Sequence, residues 1–464
     1  MAEDTASALT KVPFQITNPE LIDARRYYDE GFFQAERENL WPHVWQMACR
    51  LEEIPEVGDY TVYNLLDKSV IMIHTKDGVK GFLNACRHRG VKLAHGPGHC
   101  STEGFVCPFH GWRWNGEGEN TFIFGKQIFS PEIIDKAQID LAPVRTETWA
   151  GAAFINFDAS APSLRDSLGP VAKRIDARAA DKLRVDWWFG TVIPCNWKLA
   201  MEAFHESYHV MQTHRQLFDL SPNATLQYGR NYDDVPVHEN YTGVAFHNQL
   251  IAANINISEG MGGSLVHSSE VPVLERMRDM TVPEDPAEVF KAFSERIAAD
   301  IEADAKARGA PTFDILKANE DRSNVEFVFP NFFLLPMFGA MASYRMRPIT
   351  AETCLMEIWN LALLPDGEAH EAPTEPTMLP YDSQSFPEIP RQDYSNLPIQ
   401  QTGLHNLDFM RIARGTGNND AEGLISNYQR VLDGFLARLD PKLLAKAQNV
   451  SNSGFEAGIL DIGF

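Results

Sequence analysis

The segment from Cys86 to Trp112, CRHRGVKLAHGPGHCSTEGFVCPFHGW, constrains the fold most strongly because it concentrates residues that bind metals. It holds three of the six cysteines and four of the fourteen histidines in a chain of 464 residues. Six cysteines are too few for a disulfide framework, and the start MAEDTASALT lacks the basic and apolar regions of a secretory signal. We therefore expect a reducing, cytoplasmic location, in which clustered cysteine and histidine indicate a metal site.

Two pairs stand out within this segment: Cys86 with His88, and Cys107 with His110, each closely followed by a glycine. Two cysteines and two histidines also make a structural zinc site. Zinc fingers, however, usually pair cysteine with cysteine and histidine with histidine, whereas both pairs here are mixed and lie on loops between short β-rich runs. A mixed set suits a two-iron, two-sulfide cluster, in which two thiolates hold one iron and two imidazoles hold the other. The remaining candidates are interpreted as spacer residues: His95, His99 and Cys100.

A second cluster, NWKLAMEAFHESYHVMQTH, lies about a hundred residues further along the chain. His209 and His214 are five residues apart, so they meet only if a helix bends or ends between them. Glu206 precedes His209 by three residues and shares its helical face. Two imidazoles and one carboxylate, with other positions open, form the facial triad of non-haem Fe(II) oxygenases. The residues alone leave the carboxylate open between Glu202, Glu206 and several distant acids.

The two motifs together, CRHRG…CPFHGW and N-W-K…E-x-F…H-x4-H, resemble the large (alpha) subunit of the Rieske non-haem iron aromatic-ring-hydroxylating oxygenases. The resemblance covers about residues 18–438, and both motifs occurring in this order is far more specific than either alone. It implies that His209 and His214 bind a mononuclear Fe(II), and that Glu206 is a bridge to the cluster of the neighbouring subunit. It also implies that four residues hold a Rieske [2Fe–2S] cluster: Cys86, His88, Cys107 and His110.

The third iron ligand of this family comes from much later in the chain. The segment RQDYSNLPIQQTGL resembles the family's D-x-x-N…Q-x-G pattern, which implies Asp393 as the ligand. Asp408, in HNLDFM, is the alternative. One position departs from the family, because His205 stands where an apolar residue is usual. It is either a hydrogen-bonded histidine packed beside the bridge, or a residue that lines the electron path or contacts the substrate.

Hydrophobic periodicity indicates an α+β chain. Residues 18–48 have apolar residues at helical spacing, and short β-rich runs separated by turns extend from Gly58 to about residue 160. Later, DWWFGTVIPCNWKLAMEAF predicts a strand that passes into a helix at about Trp197. Three strand-like runs and two helices follow, the helices over 286–308, with Asp285 as N-cap, and over 420–438.

With the resemblance, this pattern implies an all-β Rieske domain inserted before a helix-grip catalytic domain, an antiparallel sheet with helices on it. The expected divisions are residues 1–44 for N-terminal helices that pack on the catalytic domain, 45–160 for the Rieske domain, and 161–464 for the catalytic non-haem iron domain.

The resemblance implies a terminal oxygenase component that receives electrons from a separate NAD(P)H-dependent reductase, with or without a ferredoxin. The electron passes from a cluster histidine, His110, to Glu206 and His209 of the neighbouring subunit in a head-to-tail homotrimer (α3), alone or with a small second subunit (α3β3). O2 and a small aromatic substrate meet at the iron and give a hydroxylated or dihydroxylated ring. O- or N-demethylation and hydroxylation of a steroid-like ring are open alternatives. No G-x-G-x-x-G fingerprint follows a strand, so we expect NAD(P)H to bind elsewhere.

A Rieske electron carrier without oxygen chemistry is the alternative from another class, and it predicts a short chain without the second cluster. A net charge of −22 argues against a nucleic-acid partner, and the chain has no apolar run long enough for a membrane span. The run PNFFLLPMFGAMASY and Met211 suit either a pocket for an apolar ring or ordinary core. Arg345 and Arg347 are either partners of a substrate carboxylate or surface charges.

Overall fold

The computed structural model describes residues 2–214, 242–321, 323–365, 371–414, 422–452 and 458–464. The strands in these residues are, in chain order, β1 (Leu21–Asp23), β2 (Gln46–Arg50), β3 (Asp59–Leu65), β4 (Lys68–Thr75), β5 (Gly78–Leu83), β6 (Gly98–His99), β7 (Phe105–Val106), β8 (Arg113–Trp114), β9 (Asn120–Phe122), β10 (Pro143–Trp149), β11 (Ala152–Asn156), β12 (Arg184–Ile193), β13 (Glu326–Val328), β14 (Phe332–Pro336), β15 (Ala340–Thr350), β16 (Thr353–Ala362), β17 (Thr377–Met378) and β18 (Phe409–Arg411).

The first half of the chain forms an all-β unit, as predicted. A seven-stranded antiparallel sheet has the order β2-β11-β10-β5-β4-β3-β6, and a three-stranded sheet has the order β7-β8-β9. The β-rich runs are strands because their alternating residues are buried between the sheets, where Ile71, Phe82 and Trp114 share one apolar cluster. Cys86 and Cys107 belong to the same cluster, so the two cysteine-bearing loops are anchored in this core.

The second half is built on a six-stranded sheet in the order β13-β14-β15-β16-β12-β17, antiparallel except for the edge pair of β12 and β17. The helices of the described residues are Ala2–Leu9, Glu30–Asn39, Lys136–Ile139, Leu164–Leu168, Pro170–Asp176, Trp197–Glu202, Val210–Thr213, Gly243–Gly260, Val271–Arg276, Pro286–Arg308, Ile315–Glu320, Glu388–Leu404, Gly423–Leu436 and Pro441–Ser451. The predicted α+β class is confirmed, with the strand-to-helix passage at Trp197 and the helix over 286–308. None of these helices combines the length and the apolar content that a bilayer span requires.

The prediction of helix over residues 18–48 is wrong for most of that range. Only Glu30–Asn39 is an α-helix, begun by Asp29, whose side chain accepts a hydrogen bond from the backbone N–H of Phe32. Before it, β1 pairs antiparallel with β18, nearly four hundred residues away in sequence. Local periodicity cannot reveal such a long-range pairing.

Two buried ion pairs fix this N-terminal segment to later helices of the chain, Gly423–Leu436 and Trp197–Glu202. Arg26 Nη1 lies 2.6 Å from Asp433 Oδ1, and Lys198 Nζ lies 2.6 Å from Glu36 Oε1. All four side chains are almost completely buried. Removing one member of such a pair leaves an uncompensated buried charge, so each pair holds the segment in one position.

Arg345 and Arg347 join the two sheets. Arg345 donates two hydrogen bonds to the Glu357 carboxylate (2.8 and 2.9 Å) and others to the backbone oxygens of Met47 and Ala48 on β2. Arg347 donates to the same carboxylate and to the Asn64 oxygen on β3. Both suggested roles for Arg345, a substrate partner or a surface charge, are therefore wrong, because its buried guanidinium bonds to Glu357 and to β2.

Candidate active site

Three side chains that can bind one metal ion meet where two helical segments approach each other. His214 Nε2 lies 3.0 Å and His209 Nε2 lies 3.6 Å from Asp393 Oδ1. Their ligand atoms all lie within 4.8 Å of one another, and in the described part of the chain no other set of three or more His, Cys, Asp or Glu is this compact. Asp393 comes from the helix Glu388–Leu404 and is 5% exposed.

A break in the helical chain brings the two histidines together. The helix Trp197–Glu202 ends, and a new helical turn covers Val210–Thr213, with His209 and His214 at its two ends. The backbone N–H of Thr213 donates to the His209 oxygen (2.7 Å), which closes this turn. The sequence interval of five residues therefore spans one short turn, as the spacing required.

The far nitrogen of each imidazole has a hydrogen-bonding partner. His209 Nδ1 lies 2.7 Å from Glu206 Oε1, and His214 Nδ1 lies 2.7 Å from Gln392 Oε1. Because both partner oxygens accept, we assign the proton to Nδ1 in each ring, which leaves each Nε2 lone pair directed toward the Asp393 carboxylate. Sequence analysis missed Gln392, whose only signal was its position beside Asp393.

The electrostatic environment of His209 is set by opposing effects. Burial lowers its pKa, but the hydrogen bond and the negative charge of Glu206, together with the charge of Asp393, outweigh burial and raise the pKa overall. The backbone N–H of His209 also donates to Glu206 Oε2 (2.9 Å). Glu206 therefore contacts His209 through both carboxylate oxygens, which fixes the ring.

The other candidate carboxylates lie apart from this group. Glu202 accepts hydrogen bonds from the Tyr27 hydroxyl (2.8 Å) and from Gln429, and burial raises its pKa to about 7. Asp408 is exposed and immediately precedes β18. The geometry therefore brings Asp393, and neither of these two acids, to the histidines.

Two spaces border this ligand group. An open cleft of about 640 Å³ exposes Glu206, His209 and Asp393, and its wall includes Glu202, Asn396 and Met410. A second cavity, of about 280 Å³, reaches the same three residues and His214. Its wall is mostly apolar and includes Phe204, Ile257, Met261, Leu335, Met337 and Tyr344. Both spaces reach the metal-binding group, and the wall of the smaller one includes part of the run PNFFLLPMFGAMASY.

The two cysteine–histidine loops have matching backbones. The N–H of Gly90 donates to the Cys86 oxygen (2.8 Å), and the N–H of Gly111 donates to the Cys107 oxygen (2.9 Å). Both glycines have positive φ, 78° and 68°, which favours glycine at these turns. The rings of His88 and His110 lie 4.7 Å apart between centroids. No three of the four ligand atoms are as close together as a single ion requires, a spacing that suits a two-iron cluster better than one zinc ion.

Comparison with known protein families matches both halves of the chain. Residues 44–123 match the model of the Rieske [2Fe–2S] domain, and residues 173–438 match that of the ring hydroxylating alpha subunit (catalytic domain). The second match alone spans more than half of the chain. The chain belongs to the ring-hydroxylating alpha-subunit family. Membership confirms two predicted cofactors, a Rieske [2Fe–2S] cluster and a mononuclear iron.

Similar proteins include both dioxygenases and monooxygenases. The alpha subunit of 2-aminobenzenesulfonate 2,3-dioxygenase from Alcaligenes sp is 33% identical over 201 residues, which cover 42% of this chain and 50% of the relative. The carnitine monooxygenase oxygenase subunit of Escherichia coli (strain K12) is 32% identical over 221 residues, which cover 45% of this chain and 58% of the relative. The chain spans about half the length of the curated relatives it matches.

Solved structures share the fold over most of the chain. Naphthalene 1,2-dioxygenase with indole bound in the active site has a TM-score of 0.65 at 21% identity, and the match covers 94% of this chain and 97% of that one. A quaternary ammonium Rieske monooxygenase in complex with gamma-butyrobetaine has a TM-score of 0.58 at 17% identity, and the match covers 90% of this chain and 97% of that one. At these identities the likeness establishes the fold alone.

The spacer residues of this alpha subunit have other contacts. His99 Nδ1 lies 2.8 Å from Asp59 Oδ1, where β6 pairs with β3. Cys100 packs against the apolar cluster of the first unit, and His95 is exposed. None of the three is placed by the structure in a compact ligand group.

His205 differs from its expected hydrogen-bonded state. Its ring lies between Phe327 and Tyr428, at centroid distances of 4.2 and 4.6 Å, and neither ring nitrogen has a hydrogen-bond partner in the residues described. It belongs to the wall of neither the cleft nor the cavity. Burial lowers its pKa to about 3, so the ring is neutral. His205 therefore packs as an apolar residue. The side chain of Met211 lies outside the described residues.

Proposed function

We propose that the chain is the terminal oxygenase component of a system that uses O2 and reductase-derived electrons to hydroxylate or dihydroxylate a small aromatic substrate. The observation that carries this proposal is that the two histidines and Asp393 meet in the wall of a mostly apolar cavity. An electron carrier needs neither the triad nor the cavity. The reductase is a separate NAD(P)H-dependent protein that acts directly or through a ferredoxin.

We assign the mononuclear iron to Nε2 of His209, Nε2 of His214 and the carboxylate of Asp393. The [2Fe–2S] cluster is assigned to Cys86, His88, Cys107 and His110. The iron supplies a site for O2 beside the substrate, and the cluster supplies single electrons. Glu206 and Gln392 hold the Nδ1 protons of the two histidines, which keeps each Nε2 available as a ligand.

The open cleft serves as the approach for the electron donor. Glu206 lies in its wall and contacts His209 at 2.7 Å, so it forms the outer edge of the ligand group. The half-buried His110 lies beside Phe109, whose ring is 56% exposed. We propose that this surface of one subunit meets the cleft of the next in a head-to-tail homotrimer, with or without a small second subunit. The proposed divisions are residues 1–44, 45–160 and 161–464.

The apolar cavity suits an uncharged ring. Its described wall contains no lysine or arginine, and Arg345 is committed to Glu357 elsewhere. A carboxylate buried there without a cation loses its hydration with no compensation. Monooxygenation, in the form of O- or N-demethylation, is the second candidate, because the carnitine monooxygenase relative is almost as similar as the dioxygenase relative.

Isotope labelling of the products tests the proposal. The holoenzyme, supplied with a reductase and NADH, is incubated under ¹⁸O2 with a panel of uncharged arenes, methoxyarenes and aromatic acids. Two labelled atoms in a ring product indicate dihydroxylation, and one indicates ring hydroxylation. Demethylation is read instead from an unlabelled phenol or amine formed with one equivalent of formaldehyde, because the O2-derived atom leaves with the methyl carbon. A cluster that is reduced and reoxidised while no compound in the panel gains label or loses a methyl group contradicts the oxygenase proposal and favours the electron carrier.

A further inference from the structure

The wall of the cavity has two neutral polar residues that the proposed chemistry does not use, Tyr344 and Asn324. Tyr344 lies on β15, is 1% exposed, and forms part of the cavity wall. Its ring packs against those of Phe333 and Phe204, at centroid distances of 4.8 and 4.9 Å. Within the residues described, the hydroxyl makes no hydrogen bond, although the ring around it is fixed by packing.

The hydroxyl is a donor throughout the ordinary pH range. Burial raises the pKa of Tyr344 well above its usual value, and the charges of Tyr394 and Asp393 act in the same direction. The same effects place the hydroxyl in the electrostatic field of the iron ligand Asp393. Tyr344 lines the cavity, where water bonds its hydroxyl in the free enzyme, so a ligand that accepts this hydrogen bond replaces the water without loss, whereas a ligand without an acceptor loses the bond.

The other residues of the cavity wall limit which ligands fit. The acidic groups Glu206 and Asp393 lie at the iron end, and most of the other side chains are apolar. The volume of about 280 Å³ is near the lower limit of about 300 Å³ for small-molecule pockets, which suits one or two rings. Asn324, a second neutral polar residue of the wall, already has an interaction of its own.

We propose that Tyr344 is the specificity-determining hydrogen-bond donor of this cavity, so that the preferred substrates are uncharged one- or two-ring molecules with a neutral acceptor: an ether, a carbonyl or a ring nitrogen. The inference rests on the proposed oxygenase function and deepens it. The bond to Tyr344 also fixes which edge of the ring faces His209, His214 and Asp393. Tyr344 therefore controls the position of oxygenation as well as affinity.

The test compares methoxybenzene with ethylbenzene, which have nearly the same size and differ by an ether oxygen in place of a methylene group. In the wild-type holoenzyme with reductase, kcat/KM should favour methoxybenzene about three- to tenfold, the effect of one neutral hydrogen bond. Tyr344→Phe should abolish this preference through a higher KM for methoxybenzene and should broaden the positions at which its ring is oxidised. Ethylbenzene should be unaffected.

The matched control is Tyr394→Phe. The Tyr394 hydroxyl also lacks a partner among the described residues, but it is completely buried and is not part of the cavity wall. This variant should keep the wild-type preference. If Tyr344→Phe keeps it too, or if Asn324→Leu abolishes it instead, the inference is overturned. A preference for phenyltrimethylammonium over its neutral isostere tert-butylbenzene also overturns it.

Calorimetric titration of the holoenzyme with both compounds separates this inference from the proposed function. Dissociation constants should show the same ratio and the same response to the two tyrosine variants. Turnover of ethylbenzene with an unchanged affinity ratio in Tyr344→Phe supports the oxygenase function and refutes the role of Tyr344. Normal ratios in binding without turnover of either compound contradict the oxygenase function and leave Tyr344 as the binding determinant.

Discussion

The two metal-ligand groups that we propose for this alpha subunit are built in opposite ways. Cys86, His88, Cys107 and His110 lie within one short segment, on two loops whose backbones repeat the same turn. The triad combines a helical turn with a helix far away in sequence, since 178 residues separate His214 from its partner Gln392. The first group is therefore largely a property of local turns, whereas the second exists only when the helix Glu388–Leu404 packs against the turn that carries the two histidines.

The two ligand groups differ in solvent exposure, and the difference matches their proposed roles. The cluster histidines are half-buried and lie beside the exposed Phe109, which is what an electron donor that meets another protein requires. In the triad, His214 and Asp393 are almost completely buried, whereas 24% of the His209 side chain is exposed. Because His209 is also bound by Glu206, the exposed edge of the triad is the edge at which we place electron entry.

The largest expected effect comes from removing the distant ligand. Asp393→Ala should abolish oxygenation and lower the iron content from about three to about two atoms per chain, while the visible spectrum of the cluster is retained. Metal analysis and absorption spectroscopy measure the two centres separately. The control Asp408→Ala, at an exposed carboxylate, should keep all the iron. A full iron content in Asp393→Ala would return the third-ligand assignment to Asp408.

Replacement of one cluster ligand should alter the cluster alone. In His110→Cys a thiolate replaces a neutral imidazole, so the cluster should acquire a plant-ferredoxin-type spectrum and a potential lower by roughly 250 mV or more. The mononuclear iron should remain. His99→Cys is the matched control, because His99 lies in the same segment but is bound to Asp59. An unchanged spectrum in His110→Cys contradicts the Rieske assignment of this residue.

Glu206→Gln tests the link between the two groups. The amide retains the shape and an acceptor oxygen for His209 Nδ1, but it removes the negative charge at the cleft. Both metals should be retained, and reoxidation of the reduced cluster in single-turnover mixing should slow by about 10²-fold or more, as for other changes of charge at a preorganised site. A near-normal reoxidation rate removes Glu206 from the electron path.

Gln392→Ala removes the support of His214 without removing a ligand. Loss of such a partner typically lowers metal affinity about 10- to 100-fold. Competition with a chelator should show this decrease for the mononuclear iron, and cluster content should be unchanged. Gln400→Ala is the control on the same helix, since Gln400 lies in the cleft wall and has no contact with either histidine. Equal chelator resistance in both variants contradicts the role of Gln392.

The same contrast explains what the sequence could predict. The cluster ligands and the His209–His214 pair were recognisable because their spacing is local, and Asp393 was identified through a short segment that resembles the family. Gln392, Tyr344 and the joint between Arg345 and Glu357 were not, because their roles depend on packing between distant elements. The helix predicted before residue 48 failed for the same reason, since β1 is fixed by β18.

The smallest expected effect concerns His205, which lies in the second motif but belongs to neither proposed ligand group. Its two nitrogens are buried without partners, so His205→Phe, which keeps a ring between Phe327 and Tyr428, should stabilise the fold by about 1–3 kcal/mol. Burial lowers the pKa of His205 to about 3 from an ordinary value of 6.5, so only the unfolded chain takes up this proton between those pH values. The wild type therefore loses stability as pH falls below about 6.5, and the advantage of the variant should grow in that range.

Urea unfolding of the two holoenzymes at pH 5.5 and pH 8 measures this difference. Turnover and both metal centres should be unchanged in His205→Phe, because the ring lines neither the cleft nor the cavity. A variant that is stable but fails to reoxidise its cluster would place His205 on the electron path. That path would then include a buried side chain that lies outside both the cleft and the cavity.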